Sequence, residues 1–151
     1  MDWDAEAAEK GGYDHYMLKE IHEQPTALRQ AIAGRIDQVK GEVDLELDLP
    51  AEYLNSLEEV QFVACGTSYH AALYGAELFR QAGVPAQAFL ASEYATSPPP
   101  VDDALVIGVT QSGETADTLS ALREARSRGV RTLACTNTVG STADTGPQSV
   151  N

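Results

Sequence analysis

Basic residues are scarce in this chain of 151 residues, with 10 Lys and Arg against 23 Asp and Glu and a formal net charge of −13. That balance makes nucleic acid and anionic membrane surfaces poor partners. It reads as a solvated acidic surface of the kind proteins carry in high salt. The two cysteines, Cys65 and Cys135, have no metal-ligand spacing and each closes an apolar run. They are expected to be reduced, buried and inert at strand ends. The histidines, His15, His22 and His70, are scattered and lack supporting carboxylates, so no metal site is expected. No apolar run approaches the roughly 20 residues of a membrane span. The start, Met1-Asp-Trp-Asp4, is acidic where a secretory signal would be basic and then apolar. A cytoplasmic protein is the expectation. There is no GxxxxGK[ST] and no GxGxxG, which argues against a nucleotide P-loop and a dinucleotide fold. No cofactor is implied.

What the chain does have is a strand–turn–helix unit at 104–129. Ala104–Val109 (ALVIGV) has the length and β-branched content of a buried strand. Thr110-Gln-Ser-Gly-Glu-Thr115 is a polar turn. Ala116, Leu119, Leu122 and Ala125 then recur at helical spacing, with charged residues between them. A helix start after such a turn aims free backbone N–H groups and the positive end of the helix dipole at an anion. Thr110, Ser112 and Thr115 add hydroxyl donors, and Gly113 lets the backbone come close.

The same design occurs earlier in the chain. Val60–Cys65 is a second buried strand, Gly66-Thr67-Ser68 a tight turn with two hydroxyls, and Tyr69–Gln81 a helix apolar over a broad face. Gly83 ends that helix. Pro85–Leu90 and Val130–Thr136 complete four strands. The order predicts an α/β fold with a parallel sheet covered by helices on both sides. In such sheets ligands sit beyond the carboxyl ends of the strands, at a switch point. Both hydroxyl turns fall there, so one ligand can touch both. A Ser/Thr-rich turn before a helix is often only a cap. Two at adjacent strand ends favour an anion site.

The remainder is less informative. A helix is predicted from Asp14, its candidate N-cap, and Pro25 can start a second helical turn carrying on towards Ile36. Val43, Leu45, Leu47 and Leu49 alternate with acids, as in a strand. Ala51–Leu57 reads as a short helix and Thr96–Pro100 as a rigid loop. Asn137–Asn151 reads as loop or tail.

Cys65-Gly-Thr-Ser68 and Gln111-Ser-Gly-Glu-Thr-Ala-Asp-Thr-Leu119 resemble the sugar isomerase (SIS) domain. Asp2-Trp-Asp4, Ala8–Tyr13 and Met17–Pro25 resemble the segment that joins the glutaminase and isomerase domains in the glutamine–fructose-6-phosphate aminotransferase family. The resemblance implies a three-layer, flavodoxin-like doubly wound domain, incomplete at four strands of five. It divides the chain into a linker with an N-terminal helical segment (1–50), a partial SIS domain (51–142) and a disordered tail (143–151). It implies that Thr110, Gln111, Ser112 and Thr115 hold a sugar phosphate, with Ser68 reaching it. Thr67 would contact sugar hydroxyls, and Cys65 and Gly66 would line the site. The implied ligands are fructose 6-phosphate and glucosamine 6-phosphate, and the intact parent would be a homodimer.

Two departures stand out. Thr110 replaces a common Ser, keeping the hydroxyl, and Tyr94–Pro100 lacks the arginines often found there. The family's chemistry also needs a glutaminase nucleophile, a base and an imine-forming lysine. The lysines here, Lys10, Lys19 and Lys40, all fall in the linker-like region. Glu114 reads as a cap or packing group. The chain alone is therefore expected to bind a sugar phosphate at most weakly and not to catalyse. The alternatives are a stand-alone SIS binding module, a phosphosugar isomerase, or a dimerisation piece built on the apolar helix 69–81.

Overall fold

The structure, a computed structural model, describes residues 9–37, 39–43, 45, 47, 49–99, 103–138 and 140–143. It separates into two compact units, Met1–Leu45 and Glu46–Asn151. In the first, helix α1 spans Tyr16–Ile32, with Pro25 inside it. The helix carries on through the proline as far as Ile32 and stops short of Ile36. His15, not Asp14, occupies the N-cap position, and it makes no side-chain cap bond. Strands β1 (Ile36–Asp37) and β2 (Glu42–Val43) form an antiparallel pair. The Asp37 carboxylate turns the chain between them, accepting from the Val39 and Lys40 N–H groups at 2.9 and 3.1 Å. Of the alternating stretch at 43–49, only Val43 is in a strand among the described residues. Alternation makes a strand only where a neighbouring edge supplies the hydrogen bonds.

The second unit runs α2 (Ala51–Ser56), β3 (Glu59–Ala64), α3 (Gly66–Gln81), β4 (Ala86–Leu90), α4 (Ala91–Tyr94), β5 (Ala104–Thr110), α5 (Ala116–Ser127) and β6 (Arg131–Thr136). The sheet order is β4-β3-β5-β6. All three pairings are parallel. This is the expected α/β architecture. The sequence order reverses between β3 and β5, which makes their shared carboxyl edge the switch point.

Burial explains the strand signals. Every residue of β3 is buried, as both faces of a covered parallel sheet require. Val60, Phe62 and Ala64 pack with Ala72 and Ala76 of α3 on one face. Val63 packs with Val106 of β5 and with Ala121, Leu122 and Ala125 of α5 on the other. Small residues set how close the helices lie: a Cβ on Gly108 would come within 2.8 Å of Leu122 Cδ1.

Two helix faces differ from expectation. The inward stripe of α5 is Thr118, Ala121, Leu122 and Ala125, whereas Ala116 is exposed and Leu119 half-buried. The helix is rotated so that the i, i+3, i+4, i+7 set contains a threonine. In α3 only Ala72 and Ala76 are buried, and Leu73, Tyr74, Leu78 and Phe79 face outward.

Two buried polar residues sit in β3. Tyr94 OH donates to Gln61 Oε1 at 2.8 Å, and Gln61 Nε2 donates to Glu59 Oε2 at 2.9 Å. Gln87 Nε2 donates to Glu59 Oε1 at 2.6 Å. Burial pushes the Tyr94 phenol above its ordinary pKa. The chain of bonds satisfies side chains that would otherwise be costly in the interior.

Candidate phosphate-binding site at the sheet edge

Strands β3 and β5 pair in register, Ala64 opposite Val109. The next residues, Cys65 and Thr110, therefore leave the sheet on neighbouring strands about 5 Å apart. Each leads directly to a helix start. The first connection is shorter than the sequence suggests. Gly66, Thr67 and Ser68 are not a turn before α3 but its first turn, with Cys65 at the N-cap position. Gly66 makes this abrupt entry with φ +57, a conformation a side chain would disfavour. Gly66 and Thr67 are exposed, and Ser68 is half-buried.

The second connection is a true turn, 110–115, ahead of α5. Thr110 is buried, and its hydroxyl lies 3.1 Å from that of Thr115. It also accepts from the Gly113 N–H at 3.3 Å. The Ser112 hydroxyl accepts from the Glu114 N–H at 3.2 Å. Gln111 and Ser112 are exposed, and Thr115 is half-buried. All eight predicted positions therefore lie at one edge of the sheet, on the two connections flanking the switch point.

The helix starts share a further property. Thr115 and Cys65 make no side-chain cap bond to α5 and α3. Thr115 instead uses its hydroxyl on Thr110. Neither N-cap side chain therefore takes up a backbone donor of its helix start, an arrangement that favours an anion. Asp117, in the first turn of α5, sits 3.9 Å from Cys65 Sγ and joins the two connections.

The cysteines are not buried as expected. Cys65 is half-buried and Cys135 exposed. Cys65 follows β3 at the sheet edge and packs partly against the core, and Cys135 lies on β6, an outermost strand. Glu114 is not a cap either. Its Oε1 accepts from the Thr142 N–H at 2.6 Å and its Oε2 from the Thr142 hydroxyl at 2.7 Å. The Thr142 N–H, helped by the hydroxyl, holds the exposed Glu114 carboxyl below its ordinary pKa. Ser141 and Ala143 are buried beside this turn. The polar stretch expected as loop or tail is thus packed as far as Ala143, and 144–151 lie outside the described residues. The sequence signal for this contact is weak: one acid in a turn and one threonine 28 residues later.

A doubly wound α/β domain with two helix starts side by side at its switch point is the class that fold and geometry define. The SIS domain family model matches residues 53–148, and the chain belongs to that family. It is 57% identical over 147 residues to glutamine–fructose-6-phosphate aminotransferase [isomerizing] of Halobacterium salinarum, covering 94% of this chain and 24% of the relative. The same-named protein of Symbiobacterium thermophilum is 57% identical over 145 residues, again covering 94% of this chain and 24% of the relative. The chain thus spans about a quarter of the length of the curated relatives it matches. Among solved structures, the C-terminal domain of glucosamine-fructose-6-phosphate aminotransferase from Francisella tularensis superposes with a TM-score of 0.81 at 35% identity. That match covers 93% of this chain and 40% of the other. The helices among the described residues include none long and apolar enough to cross a membrane.

Proposed function

We propose that this chain binds the phosphate of a phosphorylated sugar at the β3/β5 edge, with fructose 6-phosphate or glucosamine 6-phosphate as the ligand. The observation that carries the reading is the pair of helix starts, α3 and α5, both without side-chain caps at one switch point. Ser112, Thr115, Thr110 and Gln111 supply donors to the phosphate, and Ser68 reaches it from α3. Thr67 meets sugar hydroxyls, while Cys65 and Gly66 line the wall. The choice of sugar rests on the names of the relatives, which specify fructose 6-phosphate. The edge offers hydroxyls, amides and one clasped carboxylate, groups that hold and orient a phosphate. Lys10, Lys19 and Lys40 belong to the first unit, so no imine-forming lysine stands on β3, β5 or the connections that follow them. Binding, not turnover, is the activity proposed for the chain as given.

The site of action is placed in the cytoplasm, where sugar phosphates are made and used. Self-association is placed on the outer side of α3, where Leu73, Tyr74 and Leu78 are exposed.

Titration calorimetry with fructose 6-phosphate, and with fructose as control, tests the reading. Fructose 6-phosphate binds and fructose does not. Ser112→Ala weakens binding by about tenfold, the worth of one hydrogen bond to a charged group. Equal affinity for both sugars, or an unaffected Ser112→Ala, overturns it.

A further inference from the structure

The segment that follows β6 folds back over the 110–115 turn and grips it at successive points. The Gln111 carbonyl accepts from the Asn137 N–H at 3.2 Å and from the Thr138 hydroxyl at 3.3 Å. The Gly113 carbonyl accepts from the Ala143 N–H at 3.0 Å. Glu114 holds Thr142 through both carboxylate oxygens. Ser141 fills the space where a Gly113 side chain would stand.

These grips fix peptide orientation. A trans peptide is planar, so a carbonyl pulled to one side sends the next residue's N–H to the other. Holding the Gln111 carbonyl against the β6 exit aims the Ser112 N–H away from it. Holding the Gly113 carbonyl fixes the Glu114 N–H, whose acceptor is the Ser112 hydroxyl. The clasp therefore sets the direction of that hydroxyl ahead of α5.

We propose that Glu114 is a positioning residue: by clasping Thr142 it locks the segment 140–143 onto the cradle and so holds the Ser112 hydroxyl in place for phosphate. The inference rests on the sugar-phosphate reading above. It has a sign that a through-space role lacks. A carboxylate close to a phosphate dianion repels it. Were charge the only effect of Glu114, removing it would tighten binding. Positioning demands the reverse.

The test is titration of the full chain with fructose 6-phosphate, on the wild type and on Glu114→Ala, Glu114→Gln and Thr142→Val. Glutamine keeps one carbonyl oxygen for the Thr142 N–H and an amide N–H for its hydroxyl, without the charge. Glu114→Ala weakens binding about tenfold. Glu114→Gln stays within about twofold of wild type or binds more tightly. Thr142→Val, which keeps the backbone bond and loses the hydroxyl, falls between them. Amide hydrogen exchange at Ala143, whose N–H donates to the Gly113 carbonyl, accelerates in Glu114→Ala and not in Glu114→Gln. Wild-type affinity in Glu114→Ala, or tighter binding, overturns the clasp while leaving the sugar-phosphate site standing. No binding by the wild type removes the site and the clasp together. If Glu114→Ala fails to fold, Thr142→Val decides: undiminished affinity overturns the proposal.

Discussion

Gly113 carries two constraints at once. Its φ of +71 lies where L-residues are disfavoured, and the place of its missing side chain is occupied by Ser141. The backbone part costs alanine about 1–2 kcal/mol, and overpacking adds about 1–3 kcal/mol. Gly113→Ala is therefore expected to lower unfolding free energy in urea by about 2–5 kcal/mol. The two parts separate in a double-mutant cycle. In a Ser141→Gly background the steric part vanishes, and Gly113→Ala costs only the backbone part. Additive losses in the cycle would mean that Ser141 does not press on this position. Ser141 is also notable because its hydroxyl is buried without a hydrogen-bond partner. Its contribution to the turn comes from the space it fills.

Packing of α5 on the sheet turns on one knob and one gap. Leu122 is almost wholly buried, and it sits over Gly108 with no room for a methyl group between them. Leu122→Ala is expected to cost about 2–5 kcal/mol by lost burial and a residual cavity. Gly108→Ala costs about 1–3 kcal/mol by overpacking. Together they should compensate, because the new methyl group enters the space the leucine leaves. Thermal unfolding of the two single variants and the double variant reads this directly, and a double variant no more stable than Leu122→Ala would refute the contact.

The same element shows what could be seen in the sequence. The strands and the two connections were legible, because a doubly covered sheet demands continuous apolar runs and helix starts demand turn residues. The rotation of α5 was not, because Thr118 is polar by composition yet packs inward. The start of α3 at Gly66 was hidden for a related reason: Gly-Thr-Ser is turn chemistry, and only the left-handed glycine reveals that no turn intervenes. Gln61 was absorbed into an apolar strand and Glu59 left outside it, since their partners Tyr94 and Gln87 lie on other elements. The grip of Thr142 on Glu114 joins residues 28 positions apart, beyond any local pattern. The two cysteines were placed in the core by their apolar neighbours. Instead Cys65 lies just past the end of β3 and Cys135 on an outermost strand, β6.

The acidic excess acts on the molecule as a whole. Ion pairs among the described residues include the near neighbours Lys19–Glu23, Lys40–Asp37 and Arg80–Glu77. Ten bases cannot neutralise 23 acids, which leaves −13. Folding gathers that charge into a smaller volume, so repulsion opposes the compact state. Salt screens it. The Debye length falls from about 10 Å at 0.1 M to about 3 Å at 1 M, shorter than typical spacings between surface carboxylates. The thermal midpoint is therefore expected to rise as KCl goes from 0.1 to 1 M. Each kcal/mol of relieved repulsion contributes about 2–4 °C for a chain of this size. Screening is nearly exhausted beyond 1 M, so the curve should flatten there. A midpoint that does not move below 1 M would show that the acids are too dispersed to repel. A steep rise continuing to several molar would assign the effect to salt acting on apolar burial instead, a distinction of interest in a chain 57% identical to a protein of Halobacterium salinarum.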